Sequence, residues 1–104
     1  MVRRKDVVIS RMAMNSIREI YDYVNDREKS VAKAQYVKNA ILEKCLSLKD
    51  FSGYAIDPFL ADYTEEYRSV CIWEYVIIYL VDEKRVKVLN VVHSKQHPEI
   101  RQNI

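Results

Sequence analysis

Glycine occurs once in this 104-residue chain, proline twice and cysteine twice. A lone glycine, Gly53, excludes the glycine-rich loops that cradle phosphates, since neither GxGxxG nor GxxxxGKS/T can be written anywhere. It equally excludes flexible linkers. One domain over residues 1–104 is expected, with room for a single hydrophobic core. No apolar run approaches the roughly 20 residues that cross a bilayer. The basic start, MVRRKDVVIS, has an apolar run too short for a signal peptide. A cytoplasmic protein with no membrane partner is expected. Cys45 and Cys71 stand far apart among apolar neighbours and read as two buried, reduced thiols acting as small hydrophobes. A disulfide does not fit the absence of a secretion signal. A zinc site needs more ligands at closer spacing. No metal and no cofactor is expected, and nothing local points to a catalytic Cys–His pair.

Charged residues make up 31% and hydrophobic residues 49%, a globular balance rather than a disordered one. The net charge of +2 is too small to mark a nucleic-acid binder by itself. Its distribution is uneven: residues 1–52 hold 11 Lys/Arg against 7 Asp/Glu, and the remainder holds 6 against 8. Asp50, Asp57, Asp62, Glu65 and Glu66 form an acidic run that reads as a solvated face. The two ends are basic, with Arg3, Arg4 and Lys5 at one and Lys95 and Arg101 at the other.

Val7-Val8-Ile9 is a β-branched run and a candidate first strand. Ser10 then suits a helix N-cap. Ala13, Ile17, Ile20, Tyr21 and Val24 follow at helical spacing and predict an amphipathic helix ending near 26–29. Ser30 is a second N-cap, and Ala34, Val37, Ile41, Cys45 and Leu48 predict a second helix over 31–49. The short connection predicts an antiparallel helical hairpin. Residues 51–66 read as irregular, pinned to the core edge by Phe51, Tyr54, Ile56, Phe59 and Leu60. Three strands are predicted at 67–73, 75–81 and 85–93, with Asp82-Glu83-Lys84 as a polar hairpin turn. The last is apolar on both faces from Val86 to Val92, which predicts a central strand. The order β-α-α-β-β-β is an α+β layer, an antiparallel-rich sheet packed against an N-terminal helical hairpin.

The most informative stretch is VVHSKQHPEI, residues 91–100. A buried strand runs into a cluster holding both histidines of the chain, and Pro98 stops the strand. Together with EYRSVCIWEYVIIYLVDEKRVKVLN upstream, this order resembles the RelE/ParE superfamily of bacterial toxins. The matching features are Arg68 opening a strand, Tyr75 and Tyr79 as a Tyr-x-x-x-Tyr strand, and His93 followed by Lys95, His97 and Pro98. The resemblance covers nearly the whole chain. It implies the toxin half of a type II toxin–antitoxin pair, silenced by a cognate antitoxin, with a second copy of the chain as a further partner to consider. RelE-like members of this superfamily cut messenger RNA on the ribosome; ParE-like members poison DNA gyrase. The long uninterrupted hairpin favours the ParE-like branch. So do two departures from the nuclease pattern. Val76 stands where relatives commonly carry Arg, and no Tyr follows Tyr79. An α+β interaction domain that has lost its toxicity is the reading from another class.

Cleavage of RNA by its own 2′-hydroxyl needs a base, positive charge on the phosphorane and an acid. His93 is the candidate acid or base. Arg68 and Lys95 are the candidate cations, provided that Arg68 and His93 approach on one sheet face. The bland alternatives are Arg68 paired with Glu66 or Glu74, and His93 capping the strand end against backbone. His97 reads as a surface residue. Tyr21, Tyr67, Tyr75 and Tyr79 read as core or core edge, and Tyr36, Tyr54 and Tyr63 as freer.

Overall fold

Ser10 sets the geometry of the N-terminal half. In the computed structural model, which describes residues 5–103 and side chains as far as residue 100, Ser10 follows strand β1 (Asp6–Ile9) and caps helix α1 (Arg11–Glu28). Its hydroxyl accepts from the Ala13 N–H at 3.0 Å, satisfying one of the free donors of the first turn. Helix α2 (Val31–Leu46) starts in the same way, with Ser30 accepting from the Lys33 N–H. Between them Lys29 takes a left-handed conformation, φ 51°, which turns the chain back on itself. The second helix is shorter than its periodicity predicts. It tightens into a 3-10 turn at Ser47–Lys49, so Leu48 still reaches the core although it lies past the α-helix.

After the irregular segment 51–66 come β2 (Arg68–Ile72), β3 (Tyr75–Val81) and β4 (Arg85–His93). The sheet order is β1-β4-β3-β2. The three later strands pair antiparallel, while β1 lies parallel to β4, so the sheet is mixed and β4 is central. Trp73 belongs not to the strand before it but to the two-residue turn into β3, at φ 51°.

Alternation along β3 sorts the core into two layers. Tyr75, Ile77 and Tyr79 pack with Ala13, Ile17, Ile41, Cys45 and Leu48 from the helices. Val76 and Ile78 pack with Leu60, Tyr67, Val92 and Ile100 on the other face. The second face is thus covered by the irregular segment and by the C-terminal 3-10 segment His97–Asn103. That is why YVIIYLV has no polar side. Of the segment's apolar residues, Leu60 is fully buried, whereas Phe51 and Phe59 are exposed, with Phe51 edge-on to Tyr54. Cys71 also departs from expectation. It lies on the edge strand β2 and is exposed, while Cys45 is buried and burial pushes its thiol up to about 12.

A β-bulge ties the layers together. The register of β4 shifts between Ile78↔Asn90 and Tyr79↔Val88, leaving Leu89 as the extra residue. Its carbonyl accepts from the Ser10 hydroxyl at 2.7 Å. The buried Asn90 side chain accepts from Ser16 Oγ of α1 at 2.6 Å and from the Val91 N–H at 2.8 Å. The start of α1 is therefore bolted to the irregularity of the central strand.

Candidate functional site at the end of the central strand

Beside α1, at the end of β4, lies a polar cleft of about 640 Å³. Ser16, Glu19 and Tyr23 of α1 form one wall; His93, Lys95, Gln96 and Glu99 form the other, and Tyr75 of β3 lies between them. His93 is held from three sides. Its ring stands edge-on to Tyr75, with centroids 5.8 Å apart. Its Nδ1 accepts from the Lys95 N–H at 3.1 Å, and its Nε2 lies 3.8 Å from Glu74. The ring thus accepts a backbone N–H at the strand end, as the capping alternative requires. Burial first, and Glu74 second, raise the Tyr75 hydroxyl above its ordinary value, so it stays protonated at neutral pH. Lys95 is exposed on the turn that follows. That turn is anchored by the Ser94 N–H donating to Glu74 O at 2.7 Å and the Gln96 N–H to His93 O at 2.8 Å.

Arg68 is elsewhere. It pairs with Tyr79 across β2 and β3, while His93 pairs with Tyr75 across β3 and β4. Four positions along β3 and two strand spacings separate them by roughly 16 Å, at ~3.3 Å per residue and ~4.8 Å per strand. Arg68 Nη1 donates to Tyr54 O at 2.5 Å, and Nη2 lies 3.5 Å from Glu66. The guanidinium thus straps the irregular segment to the sheet edge, beside the Tyr79 hydroxyl, which donates to Ser52 O. Lys95 and His93 share the cleft; Arg68 does not join them. Val76 lies in the second core layer, on the face away from the helices.

His97 overturns its reading as a surface residue. Its side chain is 12% exposed and its Nε2 pairs with Oδ2 of Asp57, which is fully buried. The Phe59 ring packs edge-on against it. Asp57 was hidden in the acidic run. The signal that marks it is local: an Asp before Pro58, whose Oδ1 accepts from the Phe59 N–H at 2.9 Å in an Asx turn. Of the basic ends, Lys5 is spent on the β3–β4 turn, donating to Asp82 O and Glu83 O. Arg3, Arg4 and the Arg101 side chain lie outside the described residues.

A second, more apolar cavity of about 510 Å³ sits at the hairpin tip, with Val24, Val37 and Tyr75 among its lining. Trp73 and Tyr36 also line it, both more than half exposed, their rings 5.9 Å apart. Among the described residues no cluster of His, Cys, Asp and Glu could hold a metal ion, and no helix is long and apolar enough to cross a membrane.

Residues 7–98 match the model of a family described as the ParE toxin of the type II toxin-antitoxin system parDE. No curated protein matches the chain. Among solved structures, a chain of the chromosomal ParDE toxin–antitoxin system from P. aeruginosa superposes with a TM-score of 0.74 at 17% identity. The match covers 88% of this chain and 98% of that one, and at this identity it speaks for a shared fold.

Proposed function

The chain belongs to the ParE toxin family of type II toxin–antitoxin systems, and from that premise we propose that it is a growth inhibitor acting on DNA gyrase and silenced by a cognate antitoxin. The family match over residues 7–98 carries this reading. The site geometry supports the choice of target. A nuclease needs positive charge and an acid or base around one phosphate. Here Arg68 is committed to Tyr54 and Glu66, two strands away from His93. The position where nuclease relatives often carry Arg is Val76, buried on the opposite face from the helices. The cleft beside α1 instead offers an exposed lysine, a glutamine and two carboxylates around a tyrosine, a surface suited to holding a protein.

The test is direct. Expression alone should arrest bacterial growth, and co-expression of the neighbouring reading frame should relieve the arrest through a tight complex. Purified protein should inhibit gyrase supercoiling and leave ribosome-bound messenger RNA intact. Cuts in A-site codons with gyrase unaffected would instead establish the nuclease reading. A protein harmless in several bacterial hosts would leave only the interaction-domain reading.

A further inference from the structure

We infer that Asp57 and His97 form a latch that holds the C-terminal segment against the sheet and so positions the Lys95 and Gln96 wall of the cleft. The functional half of this inference rests on the toxin reading above.

Asp57 is built as a socket. Its N–H donates to Tyr67 O at 2.7 Å, its carbonyl accepts from the Leu60 N–H at 3.1 Å, and its Oδ1 accepts from the Phe59 N–H. These bonds order the irregular segment and aim the remaining oxygen, Oδ2, at His97 Nε2. A fully buried carboxylate is costly unless it is paired and hydrogen-bonded. The imidazole that pairs with it arrives from 40 residues away.

His97 opens the C-terminal 3-10 segment, and its N–H donates to Ser94 O. Ser94 and Gln96 are themselves bonded to Glu74 and His93. The latch thus lies at the end of a short chain of hydrogen bonds, backbone to backbone and backbone to the His93 ring, that carries Lys95. Three residues beyond His97, Ile100 is fully buried in the layer that also holds Leu60. When the latch is lost, the 94–100 stretch should loosen while the layer between helices and sheet stays closed, because that layer contains none of these residues. Asp57 and His97 are therefore positioning residues, acting through the turn that displays Lys95.

The test compares the wild type with His97→Ala, His97→Gln and Asp57→Asn in the full chain. Gln places an amide N–H near the position of Nε2; Asn keeps the acceptor for Phe59 and removes the charge. Backbone hydrogen exchange and growth arrest on graded induction are the two readouts. His97→Ala should speed exchange across 94–100 by roughly 100-fold, leave α1 and β3 protected, and weaken arrest at equal soluble protein. His97→Gln should restore much of both, and Asp57→Asn should fall between. Unchanged exchange in His97→Ala overturns the latch, and faster exchange with undiminished arrest overturns its positioning role. A wild type that does not arrest growth refutes the toxin reading instead, and exchange alone then decides the latch.

Discussion

Lys29 and Trp73 are the non-glycine residues with positive φ among those described, both at 51°. Each makes a reversal that glycine would make without strain, and each keeps a side chain that glycine lacks. Lys29 is exposed after the last turn of α1, where a left-handed residue closes the helix. Lys29→Gly should therefore stabilise the protein, by about 1 kcal/mol, against a left-handed cost of roughly 1–2 kcal/mol and the entropy of a freer unfolded chain. Chemical denaturation reads this as a higher midpoint at unchanged slope. Trp73 keeps its indole tilted against the Tyr36 ring, centroids 5.9 Å apart, at the second cavity. The two thiols differ just as sharply. A disulfide-exchange reagent at pH 8 should titrate Cys71 in the native protein at once. Cys45, held neutral by burial, should react only on unfolding. Two fast thiols in native buffer would show that α2 opens easily.

At the scale of elements, the N-terminus of α1 is the junction. Ser10 caps the helix with its oxygen and donates its proton to the bulge carbonyl of Leu89. Losing a cap costs about 1 kcal/mol, and leaving a partly buried carbonyl without its donor adds roughly 1 more. Ser10→Ala should thus destabilise by about 2 kcal/mol. Ser30→Ala, whose cap is exposed, should lose only about 1 kcal/mol. Thermal or urea unfolding of the two variants side by side checks the ordering; equal losses would show that the bulge bond contributes nothing. The same junction explains how Asn90 is accommodated in the core: Ser16 and the Val91 amide satisfy its oxygen, so the polar group costs little.

For the molecule as a whole, the register of three antiparallel strands decides what the ends of the sheet can do. Arg68 and His93 lie on opposite sides of β3 at different heights, so their roles separate. On the gyrase reading, His93→Ala should weaken growth arrest only in part, through the lost bond to Lys95 N, because the Ser94 and Gln96 backbone bonds still anchor the turn. Lys95→Ala should weaken arrest by reducing target binding, because Lys95 is exposed on the turn and lines the cleft. Arg68→Ala should act mainly on stability, through the strap to Tyr54. Induction with soluble protein measured for each variant separates these outcomes. Complete loss of arrest in a well-folded His93→Ala protein would move RNA cleavage to first place.

Local physics is legible in a single sequence. The helical stripes of Ala13, Ile17, Ile20, Val24 and of Ala34, Val37, Ile41, Cys45 are buried or half-buried as their spacing requires. Ser10 and Ser30 cap the helices because the bonds span only three residues. The limits 75–81 and 85–93 follow from where apolar runs meet polar turns, and the family resemblance rode on those same strands. Tertiary structure alone decided the rest. Nothing local tells a strand whether its neighbour runs parallel, so the β1–β4 pairing was invisible. Beyond the Asx-turn signal of Asp57-Pro58, nothing in the acidic run says that this carboxylate will be buried, and nothing after a strand says that His97 will be its partner. The separation of Arg68 from His93 is likewise a consequence of register, which long-range strand pairing sets and residue identity at either end does not.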